Sequence, residues 1–189
     1  LLGESLERWE RYYPETFQTK VHEYHWSVIA KHPYILASYL WNSFDFATPM
    51  AQRGGVVARN MKGLMTFDRK TRKDAFYWYK ANWSKDPVVY LTQRRNVERE
   101  RKHTSVTVYS NMGTPKVYLN GTLLTDIRQG YTAVHYVLDN VTLADGKNVL
   151  RAVVTKDGKE YTDEITWMYS GEKDRGTEAY ENKGVHAGF

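Results

Sequence analysis

The hydrophobic pattern of this chain changes period once, at Asp86-Pro87, and that break limits the folds open to it. Upstream, apolar residues recur at helical spacing. In "PETFQTKVHEYHWSVIAK", residues 14–31, Phe17, Val21, Tyr24 and Val28 fall at i, i+4, i+7 and i+11. That stripe predicts an amphipathic helix, with Pro14 near its start, where a missing N–H costs little. A second helix is predicted over 72–83, "RKDAFYWYKANW", with Phe76, Tyr79 and Trp83 on one face and Thr71 with Asp74 as a capping box. Downstream, from Val88, the period is two. "SVTVYS" alternates, Asn120-Gly121 and Asp157-Gly158 separate short apolar runs, and Ile165, Trp167 and Tyr169 alternate after the second turn. Asn-Gly and Asp-Gly pairs in such settings are hairpin signals. Short strands at this spacing over 88–170 predict an immunoglobulin-like β-sandwich without disulfides.

Between the two helices Pro33 stops the first, and "YILASYLW", 34–41, follows. The run is too short for a helix and apolar on both faces, as parallel strands covered by helices are. A long loop, 42–70, carries Gly54, Gly55 and Gly63. Helix, buried strand, long loop, helix is one and a half units of a β/α protein, with too few strands to close its own sheet. The expected division is 1–85 for this α/β part, 86–170 for the sandwich and 171–189 for a charged tail or linker.

Composition excludes several classes. With 189 residues, 41% hydrophobic and 26% charged, the chain has the make-up of a globular protein. A net charge of +5 is mild, and in "QRRNVERERK" basic residues alternate with Glu98 and Glu100, the pattern of a solvated edge or an inter-domain strand rather than a phosphate-binding stripe. Nucleic acid is therefore not an expected partner, nor is a membrane, since no apolar run is long enough to span one. There is no cysteine for a disulfide, a thiolate metal site or a nucleophile. "HEYHW" puts His22 and His25 at the wrong spacing for a zincin site, so no metal is expected, and no cofactor either. Three sequons, at Asn82, Asn120 and Asn140, carry no weight, and Asn120 is better explained by its turn. The chain begins without an initiator Met or a basic leader region, and is expected to be a fragment.

The chemistry concentrates where the predicted strand ends, in "SYLWNSFDFA", 38–47. In β/α barrels ligands bind at the C-terminal ends of strands and in the loops that follow. Trp41 lies at such an end, and Asn60 and Lys62 lie in the loop beside Gly63. An indole face, an amide and an ammonium suit a hydroxyl-rich or acidic ligand. The bland alternative has Trp41 in the core, Asp45 paired with Arg69, and Lys62 solvated. "FYWYKANW" could be a stacking platform, but at helical spacing most of its rings belong to a core.

These residues also resemble a known family. Trp41-Asn42-x-x-Asp45-Phe46, Asn60-x-Lys62-Gly63, Asp68-Arg69 and Lys73-Asp74-Ala75-Phe76 follow one another, over about residues 12–83, as in the last part of the catalytic barrel of glycoside hydrolase family 2. Those enzymes are β-galactosidases and β-glucuronidases, and residues 88–170 are similar to the sandwich that follows their barrel. The resemblance implies the C-terminal portion of a TIM (β/α)8 barrel, with 34–41 as its last strand, followed by the immunoglobulin-like sandwich. It implies a carbohydrate substrate, with Trp41, Asn60 and Lys62 contacting the sugar and Asp45 and Arg69 supporting the loop. It also implies that the two catalytic glutamates of a retaining mechanism lie upstream, so no residue here is expected to be catalytic and the chain alone is expected to be inactive. Terminal β-galactosides are the expected substrates, with β-glucuronides the alternative, their carboxylate held by Asn60 and Lys62. A non-catalytic carbohydrate-binding or structural module is the reading of another class. The remainder of the barrel and further copies of the chain are the expected protein partners, and a periplasmic or extracellular location is favoured by the resemblance.

Overall fold

A computed structural model describes residues 14–48 and 58–171. Two helices and a two-stranded ribbon precede two larger sheets. Helix α1 spans Glu15–Ala30 and α2 spans Asp74–Trp83, while β1 (Phe46–Ala47) pairs antiparallel with β2 (Arg59–Asn60). Nine further strands follow: β3 (Val89–Leu91), β4 (Glu98–Arg99), β5 (His103–Ser110), β6 (Lys116–Leu119), β7 (Thr122–Leu124), β8 (Ile127–Gln129), β9 (His135–Thr142), β10 (Gly146–Lys156) and β11 (Lys159–Tyr169).

The strands after Pro87 form one sheet in the order β4-β11-β10-β6-β7 and another in the order β3-β5-β9-β8. Both predicted turns are present. Asn120 and Gly121 have φ of 50° and 84° between β6 and β7, and Asp157 and Gly158 have 52° and 73° between β10 and β11. Asn and Gly tolerate this left-handed backbone, whose twist matches that of the strands. One apolar core joins the two sheets, drawing on Leu91, Val106, Val108 and Leu138 from one and Val117, Leu150, Ile165 and Trp167 from the other. This is the two-layered sandwich expected from the period-two pattern.

The second sheet is buried on both faces. Tyr90 and Tyr109, whose neighbours Leu91 and Val108 point into the sandwich, pack with Ala75, Trp78 and Tyr79 of α2 in a second core. Of the rings in "FYWYKANW", Trp78 and Tyr79 are core and Phe76 and Tyr77 are half-buried, leaving Trp83 exposed.

Three expectations are corrected here. Residues 34–41 do not form a strand: they are irregular, with Leu36 97% and Tyr39 93% exposed. A parallel strand needs hydrogen-bonding neighbours, and none is supplied among the described residues, so the barrel portion expected from the sequence is not seen. Second, α1 does not bury its apolar stripe. Its buried residues are Thr16, Thr19, Glu23 and Ser27, while Tyr24 and Val28 face outward. The polar face is held by polar partners: Tyr109 Oη donates to Glu23 Oε1 at 2.5 Å, and Thr19 Oγ1 donates to the Glu15 carbonyl at 2.8 Å. Third, no Thr71 side chain caps α2. Lys73 takes the N-cap position, and Glu15 of α1 accepts the Asp74 N–H at 2.7 Å.

The basic stretch after β3 turns out to be structural, as the inter-domain alternative would have it, rather than a solvated edge. Arg95 forks onto Glu15 and also reaches Asp74 at 3.0 Å, tying α1, α2 and the β3–β4 connection together. Arg94 pairs with Asp163 of β11, and Arg99, 2% exposed, lies 4.0 Å over the Trp167 ring. Among the described residues no helix is long and apolar enough to cross a membrane.

Candidate functional site

The stretch "NSFDFA" passes beneath the loop that carries Asn60 and Lys62, and Asp45 is the joint between them. Asp45 is 3% exposed. A carboxylate buried among Phe44, Phe46 and Leu64 needs donors to offset its lost hydration. It has two: Lys73 Nζ at 2.7 Å and the Gly63 N–H at 2.9 Å, both on Oδ1. Lys73 Nζ donates also to the Met61 carbonyl at 2.9 Å. Burial draws the Lys73 ammonium below the usual lysine value, and the bond to Asp45 works against that shift. The Asp45–Arg69 pair of the bland alternative is absent. Arg69 instead lies 4.4 Å over the Phe44 ring, in a left-handed turn at φ 61°. Lys73 is the nearer cation because the N-cap of α2 runs directly beneath the loop, with its N–H bonded to the Leu64 carbonyl.

Gly63 permits this crossing. A Cβ there would sit 2.0 Å from Asp45 N and 2.1 Å from Phe44 C, both backbone atoms. From the other side Gln18 of α1 donates through Nε2 to the Lys62 carbonyl at 2.9 Å and the Gly63 carbonyl at 3.0 Å. Asn60 Oδ1 accepts the Lys62 N–H at 3.0 Å.

The three residues singled out as sugar contacts are neighbours. Trp41 is 71% exposed and meets Phe46 edge-on, with ring centroids 5.9 Å apart. Phe46 is the register partner of Asn60, and Asn60 caps the Lys62 N–H. Trp41 is thus not a core residue. Lys62 is exposed, and its ammonium enters none of the ion pairs seen among the described residues. The nearby acids are already engaged: Asp45 by Lys73 and Gly63, and Asp68 by Thr66 Oγ1 at 2.6 Å and the Lys70 N–H at 3.2 Å. No group of three His, Asp or Glu among the described residues could hold a metal ion.

Lys73 and Gln18 were not singled out from the sequence. A lone Asp between aromatic residues did signal a missing cation, and Lys73 stood inside a motif already noted. Gln18 gave no signal, because α1 was expected to turn a different face inward.

A flat exposed indole, an amide and an unpaired ammonium on a braced loop form a surface for a polar ligand with oxygen acceptors. Comparison with known proteins gives this surface a context. No family model matches the chain. A β-glucuronidase of Bacteroides fragilis is 36% identical over 163 residues, covering 86% of this chain and 23% of that protein. The crystal structure of a provisionally named β-galactosidase from the same species is 72% identical, with a TM-score of 0.86, over 91% of this chain and 26% of that one. That of an FMN-binding β-glucuronidase from Facaelibacterium prausnitzii is 38% identical, with a TM-score of 0.76, over 89% and 25%. The chain is homologous to part of bacterial β-glucuronidases and β-galactosidases. The glycoside hydrolase family 2 resemblance read from the motifs agrees with these relatives. The chain spans about a quarter of the length of the relatives it matches. Their names divide between the two sugars, so they do not rank the galactoside expectation above the glucuronide one.

Proposed function

We propose that this chain is the sugar-recognising part of a retaining β-glycosidase, and that Lys62 and Asn60 read the C6 carboxylate of a terminal β-glucuronide. The exposed Lys62 ammonium carries this reading. It has no carboxylate partner among the described residues, and its loop is linked to the exposed Trp41 through Phe46, the register partner of Asn60. A ligand carboxylate would complete it. Charge-assisted hydrogen bonds contribute about 1.5–3 kcal/mol, well above what a neutral hydroxymethyl group returns. The Trp41 indole would stack on the C–H face of the ring. Asp45 and Arg69 would support the loop from below, Asp45 through Gly63 and Arg69 through Phe44. The two carboxylates that break the bond would come from elsewhere in the parent enzyme, held roughly 5 Å apart as retention requires. The sandwich would brace α1 and α2 through Arg95, Tyr90 and Tyr109.

A second reading, a β-galactosidase, is favoured by the name of the 72% identical structure. Asn60 and Lys62 would then bond sugar hydroxyls. Lys62→Ala in the complete enzyme separates the two. On nitrophenyl β-glucuronide kcat/KM should fall about 100-fold, and on the β-galactoside by no more than about threefold, the cost of one charged contact against one neutral contact. Equal losses would remove the carboxylate role. The 189-residue chain alone should turn over neither substrate. Measurable release of nitrophenol by it would place the catalytic pair within this chain.

A further inference from the structure

Lys62 extends from the surface, yet the backbone on both sides of it is held by hydrogen bonds. Its own N–H goes to Asn60, its carbonyl and that of Gly63 go to Gln18, the Gly63 N–H goes to Asp45, and the Met61 carbonyl goes to Lys73. Beside the local groups Asn60 and Asp45, the holding side chains come from two separate elements, Gln18 from α1 and Lys73 from the N-cap of α2. Gln18 is the telling one. Its amide nitrogen serves the two carbonyls while its Oε1 is buried with no hydrogen-bond partner among the described residues. Leaving a buried acceptor unpaired is costly, so the two Nε2 bonds are made at the expense of the other end of the same side chain. Asp45 Oδ2 and Thr107 Oγ1 are buried without a partner too, so what distinguishes Gln18 is where its two bonds fall. Fixing both peptides that flank Lys62 sets the point from which its side chain departs, so less conformational freedom is lost when a ligand is engaged.

We infer that Gln18 and Lys73 are positioning residues for Lys62, fixing the loop peptides on either side of it so that its ammonium meets a ligand carboxylate. The inference rests on the reading of Lys62 given above. Gln18 acts on the C-terminal side of Lys62, whereas Lys73 acts on both sides, through the Met61 carbonyl before it and through Asp45 and the Gly63 N–H after it. Neither touches the sugar.

The test is a double-mutant cycle in the complete enzyme, with nitrophenyl β-glucuronide and β-galactoside as probes. Gln18→Met keeps the length and packing of the side chain but removes its donors. It should lower kcat/KM on the glucuronide about tenfold, mainly through KM, and on the galactoside less than about twofold; in a Lys62→Ala background the same substitution should have no further effect. Lys73→Met should show the same selectivity with a larger loss of stability, because it strips Asp45 of its cation. Should that variant fail to fold, Gln18→Met decides alone. Equal loss on both sugars, or a Gln18→Met effect that persists undiminished without Lys62, would show a merely structural role and overturn the inference. If Lys62→Ala itself leaves the two substrates equally affected, the reading of Lys62 fails first and takes this inference with it. That outcome is recognisable because it needs no change at Gln18.

Discussion

At Gly63 a single missing side chain lets two backbone segments cross. The loop carrying Lys62 lies against Phe44 and Asp45 at a distance only glycine allows. Gly63→Ala should therefore cost at least about 3 kcal/mol, because the clashing atoms are backbone and cannot rotate away. Urea denaturation should show it as a lower midpoint, and a change of less than about 1 kcal/mol would mean that the crossing is looser than described. His135 makes a second case. It is 2% exposed, its Nδ1 accepts the Tyr131 N–H at 2.9 Å, and burial lowers its pKa to about 4. A ring accepting at Nδ1 is neutral, with its proton on Nε2 toward Glu23 Oε1, 3.6 Å away. Burial lowers His22, too, to about 4. Each of these histidines favours the folded chain fully above its unfolded value near 6.5, and that contribution is lost as the pH falls through about 4. Lys20, Glu23 and Arg128 are the charged groups acting on His135. Ring signals followed by NMR should show His135 neutral at pH 5.5; half-protonation near 6.5 would contradict its burial.

At the scale of elements, the sandwich could be read from the sequence and α1 could not. Asn120-Gly121 and Asp157-Gly158 fix their turns through local backbone preference, and alternation sets the faces of β10 and β11, so no distant information was needed. Helix α1 was predicted in the right place but rotated. Of its Phe17-Val21-Tyr24-Val28 stripe, Phe17 and Val21 are only half-buried and Tyr24 and Val28 face outward, while Glu23 and Thr19 face inward. Glu23 is buried because Tyr109 and His135, far along the chain, meet it, and Arg95 holds Glu15 at the start of the helix. Such pairings have no local signature. The same holds for the N-terminus of α2, where Glu15 takes the place of a local cap. Glu15→Ala removes that acceptor and one of the two carboxylates on Arg95. It should cost about 2–4 kcal/mol. Amide exchange should accelerate at Asp74, while β10 and β11 keep their protection. Unchanged exchange at Asp74 would show that α2 is capped another way.

In the molecule as a whole, one side of the N-terminal part is finished and the other is open. Tyr34, Leu36, Tyr39 and Trp41 are all exposed, and they sit in the segment that the sequence marked as a doubly covered strand. The apolar pattern resembles that of a covered strand, but among the described residues no strand pairs with it, so the barrel that the sequence suggested is not seen. The candidate residues were legible to the same degree. Trp41, Asn60 and Lys62 announced themselves by chemistry and do come together, while Lys73 and Gln18, which hold the loop, emerged only from the fold. Asp74 is buried beside Glu15, and burial raises its carboxyl above the usual carboxylate range, with the Glu15 charge adding to the shift and Arg95 opposing it.

The claim that Lys62 reads a sugar carboxylate is tested most directly by product binding, which reports the subsite without the chemistry. Inhibition constants of glucuronate and galactose should be measured for the complete enzyme and for its Lys62→Ala variant. Glucuronate should bind more tightly than galactose, and Lys62→Ala should weaken glucuronate about 30- to 100-fold while moving galactose less than about threefold, as loss of one charge-assisted contact requires. Glucuronate binding unchanged by the substitution, or weakened no more than that of galactose, would contradict that claim.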